Sequence, residues 1–324
     1  MAKPKRLLLF SILFAAVAVL LSLCLGTVIL SPAQLWSPEG LNRSILLYAR
    51  LPRTLAAFLA GAALAVSGAV LQNVLANQLA SPSIIGVNAG AGLGVTVCLA
   101  AGVFSGWGIS LGAFLGSLLA VGLICLFSYR TGASKSTVIL GGVALNSILN
   151  ALCESITVLD SSVAMLSIDF RVGGFSAVSY ARLMPAAALI CLALTVLMTL
   201  CNELDVLTLG DDTAQSVGLN LRFYRILFLV LAAMLAGAAV SFAGLLGFIG
   251  LIVPHFVRKL AGGESRWLLP LSAIVGGGFV TVCDTAARML FRPYELPVGV
   301  IMAVIGGPAF VLLLVRRKGG RRNG

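Results

Sequence analysis

The sequence predicts an all-α polytopic membrane protein of about ten transmembrane helices. Three observations carry this. Of its 324 residues, 60% are hydrophobic and only 10% charged, and mean hydropathy is +1.08, whereas a soluble domain keeps about a quarter of its residues charged. The apolar residues fall into blocks close to the ~20 that cross a ~30 Å hydrocarbon core. The charges lie in short runs between those blocks. The chain 1–324 reads as a single transmembrane domain, with 1–6 and 316–324 as cytoplasmic tails.

The first span is expected at 7–30, after Met-Ala-Lys-Pro-Lys-Arg. Its apolar run exceeds the ~7–15 residues of a signal-peptide core, and no A-x-A site follows. Leu23 before Cys24 is too large for a lipoprotein signal, so the span is expected to be retained. Further spans are expected at 54–72, 84–104, 108–128, 137–157, 183–202 and 223–245. The eighth block, 249–260, is too short to cross alone. It reads as a half-helix, allowed where protein or a cavity covers the broken backbone. Gly244 to Gly250, followed by Pro254, opposes a continuous helix, so an interruption is expected near 246–253. His255 and Arg258 then fall near the cytoplasmic end of the short helix. The last spans are 268–290 and 297–315.

Orientation follows from the basic residues. With the N-terminus inside, the inner segments hold Lys3, Lys5, Arg6, Arg130, Lys135, Arg222, Arg225, Arg258, Lys259, Arg266, Arg316, Arg317, Lys318, Arg321 and Arg322, fifteen of the 22. The outer side and helix ends hold Arg43, Arg50, Arg53, Arg171, Arg182, Arg288 and Arg292. The positive-inside rule then places both termini in the cytoplasm. The net charge of +11 reads as this topology signal and not as a nucleic-acid face, because no basic surface is interleaved with aromatics.

Several chemistries are excluded. The seven cysteines are odd in number and lack C-x-x-C, so they read as packing residues. There is no G-x-x-x-x-G-K-[ST] and no H-E-x-x-H, and His255 is the single histidine. No metal site, cofactor or catalytic set is expected, and the chain reads as a transport subunit and not an enzyme. The run Gly90-Ala-Gly-Leu-Gly94 lacks a strand-turn-helix setting and reads as helix packing.

Two segments draw attention. In the fifth span Asn146, Asn150 and Glu154 recur at i, i+4 and i+8, stacking on one helix face beside Ser147. Such a stripe must face either a water-filled cavity or another helix as a polar seam. Between the sixth and seventh spans, Gly210 to Asn220 is polar, with Asp211, Asp212, Thr213, Ala214, Gln215 and Ser216 bracketed by Gly210 and Gly218. Asp211 or Asp212 is expected to cap a short helix there.

From Arg50 onward the sequence resembles the FecCD family of importer permeases. The resemblance rests on Arg50-Leu-Pro-Arg53, Gly61 to Gly68, Gln72, Asn77-Gln-Leu-Ala-Ser-Pro82 and Gly86. It continues through Leu207 to Gly218, Gly247 to His255, Asp284, Arg288, Glu295-Leu-Pro-Val-Gly299 and Gly306-Gly-Pro308, in the family's order. One departure is Gln78, where the family usually has proline. The resemblance implies a bacterial cytoplasmic-membrane permease with about ten helices, paired with an identical or homologous second permease subunit. It implies two cytoplasmic ATPase subunits and an extracytoplasmic substrate-binding protein, with a ferric siderophore, haem or cobalamin as cargo. By the same resemblance Arg50, Arg53 and Arg288 receive the binding protein. Gly210, Asp211, Asp212, Thr213, Ala214, Gln215 and Gly218 contact the ATPase, and Asn146, Asn150 and Glu154 line the pathway. The competing reading is an ion-coupled secondary transporter, against which the spans hold few acids, chiefly Glu154 and Asp284.

Overall fold

A computed structural model describes residues 4–26, 28–31, 40–131, 134–291 and 294–319, with no side-chain description of Leu41 or of 313–319. Lys3, Arg292, Arg321 and Arg322, part of the orientation argument, lie outside the described residues. The described residues are helical, with no strand among them.

Ten helices answer the ten expected spans. They are α1 (Pro4–Cys24), α2 (Leu51–Val74), α3 (Val87–Ala100), α4 (Gly106–Thr131), α5 (Lys135–Leu159), α7 (Tyr180–Thr199), α10 (Leu221–Ala243), α11 (Ile249–Ala261), α12 (Ser265–Met289) and α13 (Val298–Gly319). Three further helices lie between them: α6 (Ser161–Val172), α8 (Cys201–Thr208) and α9 (Asp211–Ser216). A short helix, Gly40–Ser44, and a π-helical stretch, Ile45–Arg50, lead into α2. Among the described residues seven helical runs are long and apolar enough to cross a membrane.

The ends are set locally. Ser134 accepts from the Thr137 amide at the start of α5, Asp160 from Ser162 at α6, and Asn220 from Phe223 at α10, each satisfying an otherwise orphaned donor. The third span is shorter than expected. Pro82 cannot donate within a helix, and Gly86 sits at φ +92°, so α3 starts only at Val87.

Helix α2 is the hub. It is buried on nearly every face, between α12, α10, α11 and α7, as an all-round apolar helix must be. Backbone contact needs small residues. A Cβ at Gly68 would lie 2.0 Å from the Gly250 carbonyl oxygen, and one at Gly94 equally close to that of Gly112. Gly90 and Gly94 are thus the packing face of α3 on α4.

The interruption before α11 lies earlier than expected, at Gly244 to Phe248, with Gly244 at φ +70° and Phe248 at φ +65°. Its backbone is satisfied by neighbours, since the Leu245 amide donates to the Phe170 carbonyl (2.9 Å) and the Gly174 amide to that of Ala243 (2.8 Å). Pro254 is within α11 and not in the break.

Candidate docking, coupling and pathway sites

The three arginines expected at the outer face lie near one another, Arg50 and Arg288 buried and Arg53 partly exposed. Arg53, on the first turn of α2, sends Nε and Nη2 to the Asp284 carboxylate of α12 at 3.0–3.2 Å, and Nη1 to Glu295 Oε2 at 2.6 Å. Arg288 pairs with the same Asp284 (3.2 Å) and donates to Ser22 Oγ of α1 at 2.7 Å. Arg50 donates to the carbonyls of Leu23 (2.5 Å) and Cys24 (2.8 Å), and also to that of Val28. It thereby caps the negative end of α1, whose last carbonyls have no helical partner. Arg50 and Arg288, expected to receive a binding protein, do not reach the surface of the single chain. Both are buried, because α1 packs over them and an apolar setting makes internal acceptors obligatory. Arg53 keeps a partly exposed edge beside exposed Glu295.

The segment from Gly210 to Asn220 is a single helical turn and a half, α9. Gly210 (φ +108°) and Gly218 (φ +86°) supply the left-handed backbone at its ends. Neither aspartate caps it. Gly210 is the N-cap residue, and the Asp211 carboxylate turns instead to Lys135 Nζ (3.0 Å) and Arg225 Nη2 (2.9 Å). Two cations compete better for that carboxylate than backbone amides do. Burial by itself would raise the Asp211 pKa, but the hydrogen bonds and charges of Lys135 and Arg225 outweigh it and hold it below the usual carboxylate value. Asp212, Thr213, Gln215 and Gly218 are exposed, whereas Ala214 is fully buried. Leu209, Val217 and Phe223 stand exposed around them. That apolar ring was missed from sequence, because exposure of a lone hydrophobe carries no periodic signal.

The α5 stripe divides. Asn146 donates to the carbonyls of Ser83 (2.7 Å) and Ile84 (3.1 Å), pinning the loop before α3. Asn150 and Glu154 are exposed. All three line a cavity of about 470 Å³ with Ser83, Asn88 and Arg171. Ser147 bonds within its own helix, to Val143. Beyond Ser83 and Asn88 a second space, about 280 Å³, is walled by Gly247, Phe248 and Gly250 of the helix break. Arg171 belongs to α6, which was not expected, though Asp160-Ser-Ser162 carries an N-cap signal. Among the described residues no cluster of three or more His, Cys, Asp or Glu could hold a metal.

A bundle of apolar helices with polar cavities at a broken helix and a short polar helix between two spans defines a multi-pass membrane permease. The family model described as the FecCD transport family matches residues 12–316. The vitamin B12 import system permease protein BtuC of Klebsiella pneumoniae is 36% identical over 323 residues, covering 98% of this chain and 96% of that protein. Its Escherichia coli counterpart is 38% identical over 305 residues, 92% and 91% of the two chains. A solved structure described as an inward-facing conformation of a putative metal-chelate type ABC transporter superposes with TM-score 0.89 at 29% identity, covering 96% of this chain and 99% of that one. A second, PsaBC from Streptococcus pneumoniae, shares the fold at TM-score 0.58 and 17% identity, over 83% and 92% of the chains. The chain belongs to the FecCD transport family. It is a permease subunit of an ATP-binding-cassette importer, and ATP hydrolysis lies on a separate subunit.

Proposed function

We propose that this permease imports a large metal chelate through the cavity lined by Asn150, Glu154, Asn88 and Arg171. The carrying observation is that cavity of about 470 Å³, open along α5 and walled by amides and two opposite charges. Scattered neutral and weakly opposed groups hold a bulky cargo without trapping it. A second copy or a homologous permease faces it across the open side of α5. The ATPase docks on α9, where exposed Thr213 and Gln215 are ringed by Leu209, Val217 and Phe223. A binding protein approaches the outer face, where a partner carboxylate competes with Glu295 for Arg53. Both termini lie in the cytoplasm. Asp284 is occupied by two arginines, which argues against its use as a proton or sodium carrier.

The similarity to vitamin B12 permeases makes cobalamin the first cargo to test, with ferric siderophores, the class expected from sequence, as the competitor. Proteoliposomes holding the chain with its ATPase and binding protein are assayed with radiolabelled cyanocobalamin and with ferric siderophores. ATP-dependent accumulation of one of them is expected. Uptake of neither, or uptake driven by an ion gradient without ATP, overturns the reading.

A further inference from the structure

Pro254 lacks an amide hydrogen, so the carbonyl four residues earlier, that of Gly250, loses its helical donor. Gly250 stands in the wall of the space beside the helix break, where an orphaned carbonyl is costly. The side chain of Gln72, from α2, replaces the missing donor, its Nε2 lying 3.0 Å from the Gly250 oxygen. Gln72 is itself held from the other side, because Arg258 Nη1 donates to its Oε1 at 2.9 Å. Arg258 Nη2 donates to Asn73 Oδ1, also at 2.9 Å, and Asn73 Nδ2 reaches Ser265 Oγ at 3.2 Å. Ser265 opens α12, and its backbone amide donates to the Asp205 carboxylate of α8 at 2.9 and 3.2 Å. Gln72, Asn73 and Ser265 are buried. The hydrogen bonds therefore form one unbroken line from α8, which feeds directly into α9, to the first turn of α11 at the break.

We infer that Arg258 is the positioning residue through which movement of the α8–α9 connector is passed to the helix break beside the cavity. Its fork reaches two neighbouring amides of α2 at once, a grip a lysine cannot reproduce. Both amides that it holds are neutral, so the grip is firm without the depth of a buried ion pair and can be rearranged within a transport cycle. The break is the element with two states to choose between. It holds Phe248, a bulky residue at φ +65°, and Gly244 at φ +70°, and its backbone leans on α6 and not on a continuous helix. The inference rests on the importer reading, in which α9 is moved by an ATPase.

Gly247→Cys is the reporter, in a chain whose native cysteines are replaced. A Cβ there has nothing within 4 Å, and the position lies in the wall of the space. The chain is purified with its ATPase, and the rate of reaction with a water-soluble maleimide is measured nucleotide-free and after trapping with ATP and vanadate. The two rates are expected to differ about fivefold or more, the scale of ordinary allosteric coupling. Arg258→Met is expected to erase that difference while ATP hydrolysis continues, and Arg258→Lys to restore part of it. If Arg258→Met does not accumulate in the membrane, Asn73→Leu opens the same line and carries the same expectation. A full nucleotide-dependent difference in Arg258→Met or Asn73→Leu overturns the inference, as does the absence of any difference without them. Failure of the unsubstituted chain to bind an ATPase at all overturns the importer reading as well, and is distinct from either result.

Discussion

At the scale of single residues, charges in this protein are placed by their partners and not by exposure. Arg53 and Asp284 are 231 residues apart in sequence and meet at hydrogen-bond distance. Removing one partner of a buried pair costs on the order of 3 kcal/mol or more, because the other is left uncompensated. Arg53→Ala is therefore expected to lower the melting temperature of the detergent-solubilised protein clearly, and Arg53→Ala with Asp284→Ala to lower it by less than the two single losses added, although Arg288 also loses its carboxylate whenever Asp284 is removed. A double variant as unstable as the sum of the singles would show that the two groups do not act together. Asp211 makes a pH prediction. Its folded pKa lies below the ordinary 3.8, so the stability from Lys135 and Arg225 is present above that value and is lost as pH falls through the lower folded value. Amide exchange across 211–216 is expected to hold steady from pH 7 to about 5 and to quicken, beyond the intrinsic pH effect, only below about 4. The positions of Arg50, Arg53 and Arg288 were legible in the sequence. Their burial was not, because it depends on α1 folding back over α12, which no local pattern encodes.

At the scale of helices, each of the ten expected blocks is a helix, because long apolar runs between charges are the strongest signal a chain carries. Lengths depart from expectation where special residues act. Gly86 and Pro82 shorten α3, and Pro254 stays helical because Gln72, far away in sequence, supplies the donor. The helix α6 was overlooked since its Ser, Asp and Arg residues give it no long apolar run. Two glycines offer opposed tests. Gly68→Val forces a side chain into the Gly250 backbone and is expected to destabilise by about 1–3 kcal/mol. Gly122→Ala, in the interior of α4 with nothing within 4 Å of the added carbon, is expected to stabilise by up to about 1 kcal/mol. Melting curves of the two variants should move in opposite directions, and a shared direction would refute the packing assignment.

At the scale of the whole molecule, α2 organises the bundle, and the open face of α5 is unfinished within one chain. Asn150 and Glu154 are exposed there beside Leu140, Val143, Ile148 and Leu152. A second permease subunit covers that face in the arrangement we propose. The proposed topology predicts reporter outcomes. Alkaline phosphatase fused after Ser105 or Val178 should be active, and fused after Arg130 or Leu219 inactive, with a fluorescent protein giving the reverse. Activity at Arg130 would invert the bundle and remove α9 from reach of any cytoplasmic ATPase. The polar stripe was legible as a stripe, whereas its division between Asn146 and the two open residues was not. That division depends on the loop at Ser83 and Ile84, which is brought to α5 only by the fold.

The ion pairs at the C-terminal end of α12 also bear on how the chain is made. Among the long apolar helices α12 has the lowest mean hydropathy, 1.5, and it carries Asp284 and Arg288. Each such charge opposes entry into lipid by up to about 3 kcal/mol at a helix centre. During synthesis α2 is in the membrane long before α12 emerges from the ribosome, and Arg53 waits there with an unmet guanidinium. Insertion of α12 is thus expected to be templated, with the earlier helix acting as an internal chaperone for the later one. Loss of Arg53 is then felt first by the translocon and the quality-control proteases, as nascent chains cleared from the membrane before any transporter is assembled. Pulse-chase labelling would register this as a shortened lifetime of newly made Arg53→Ala chains.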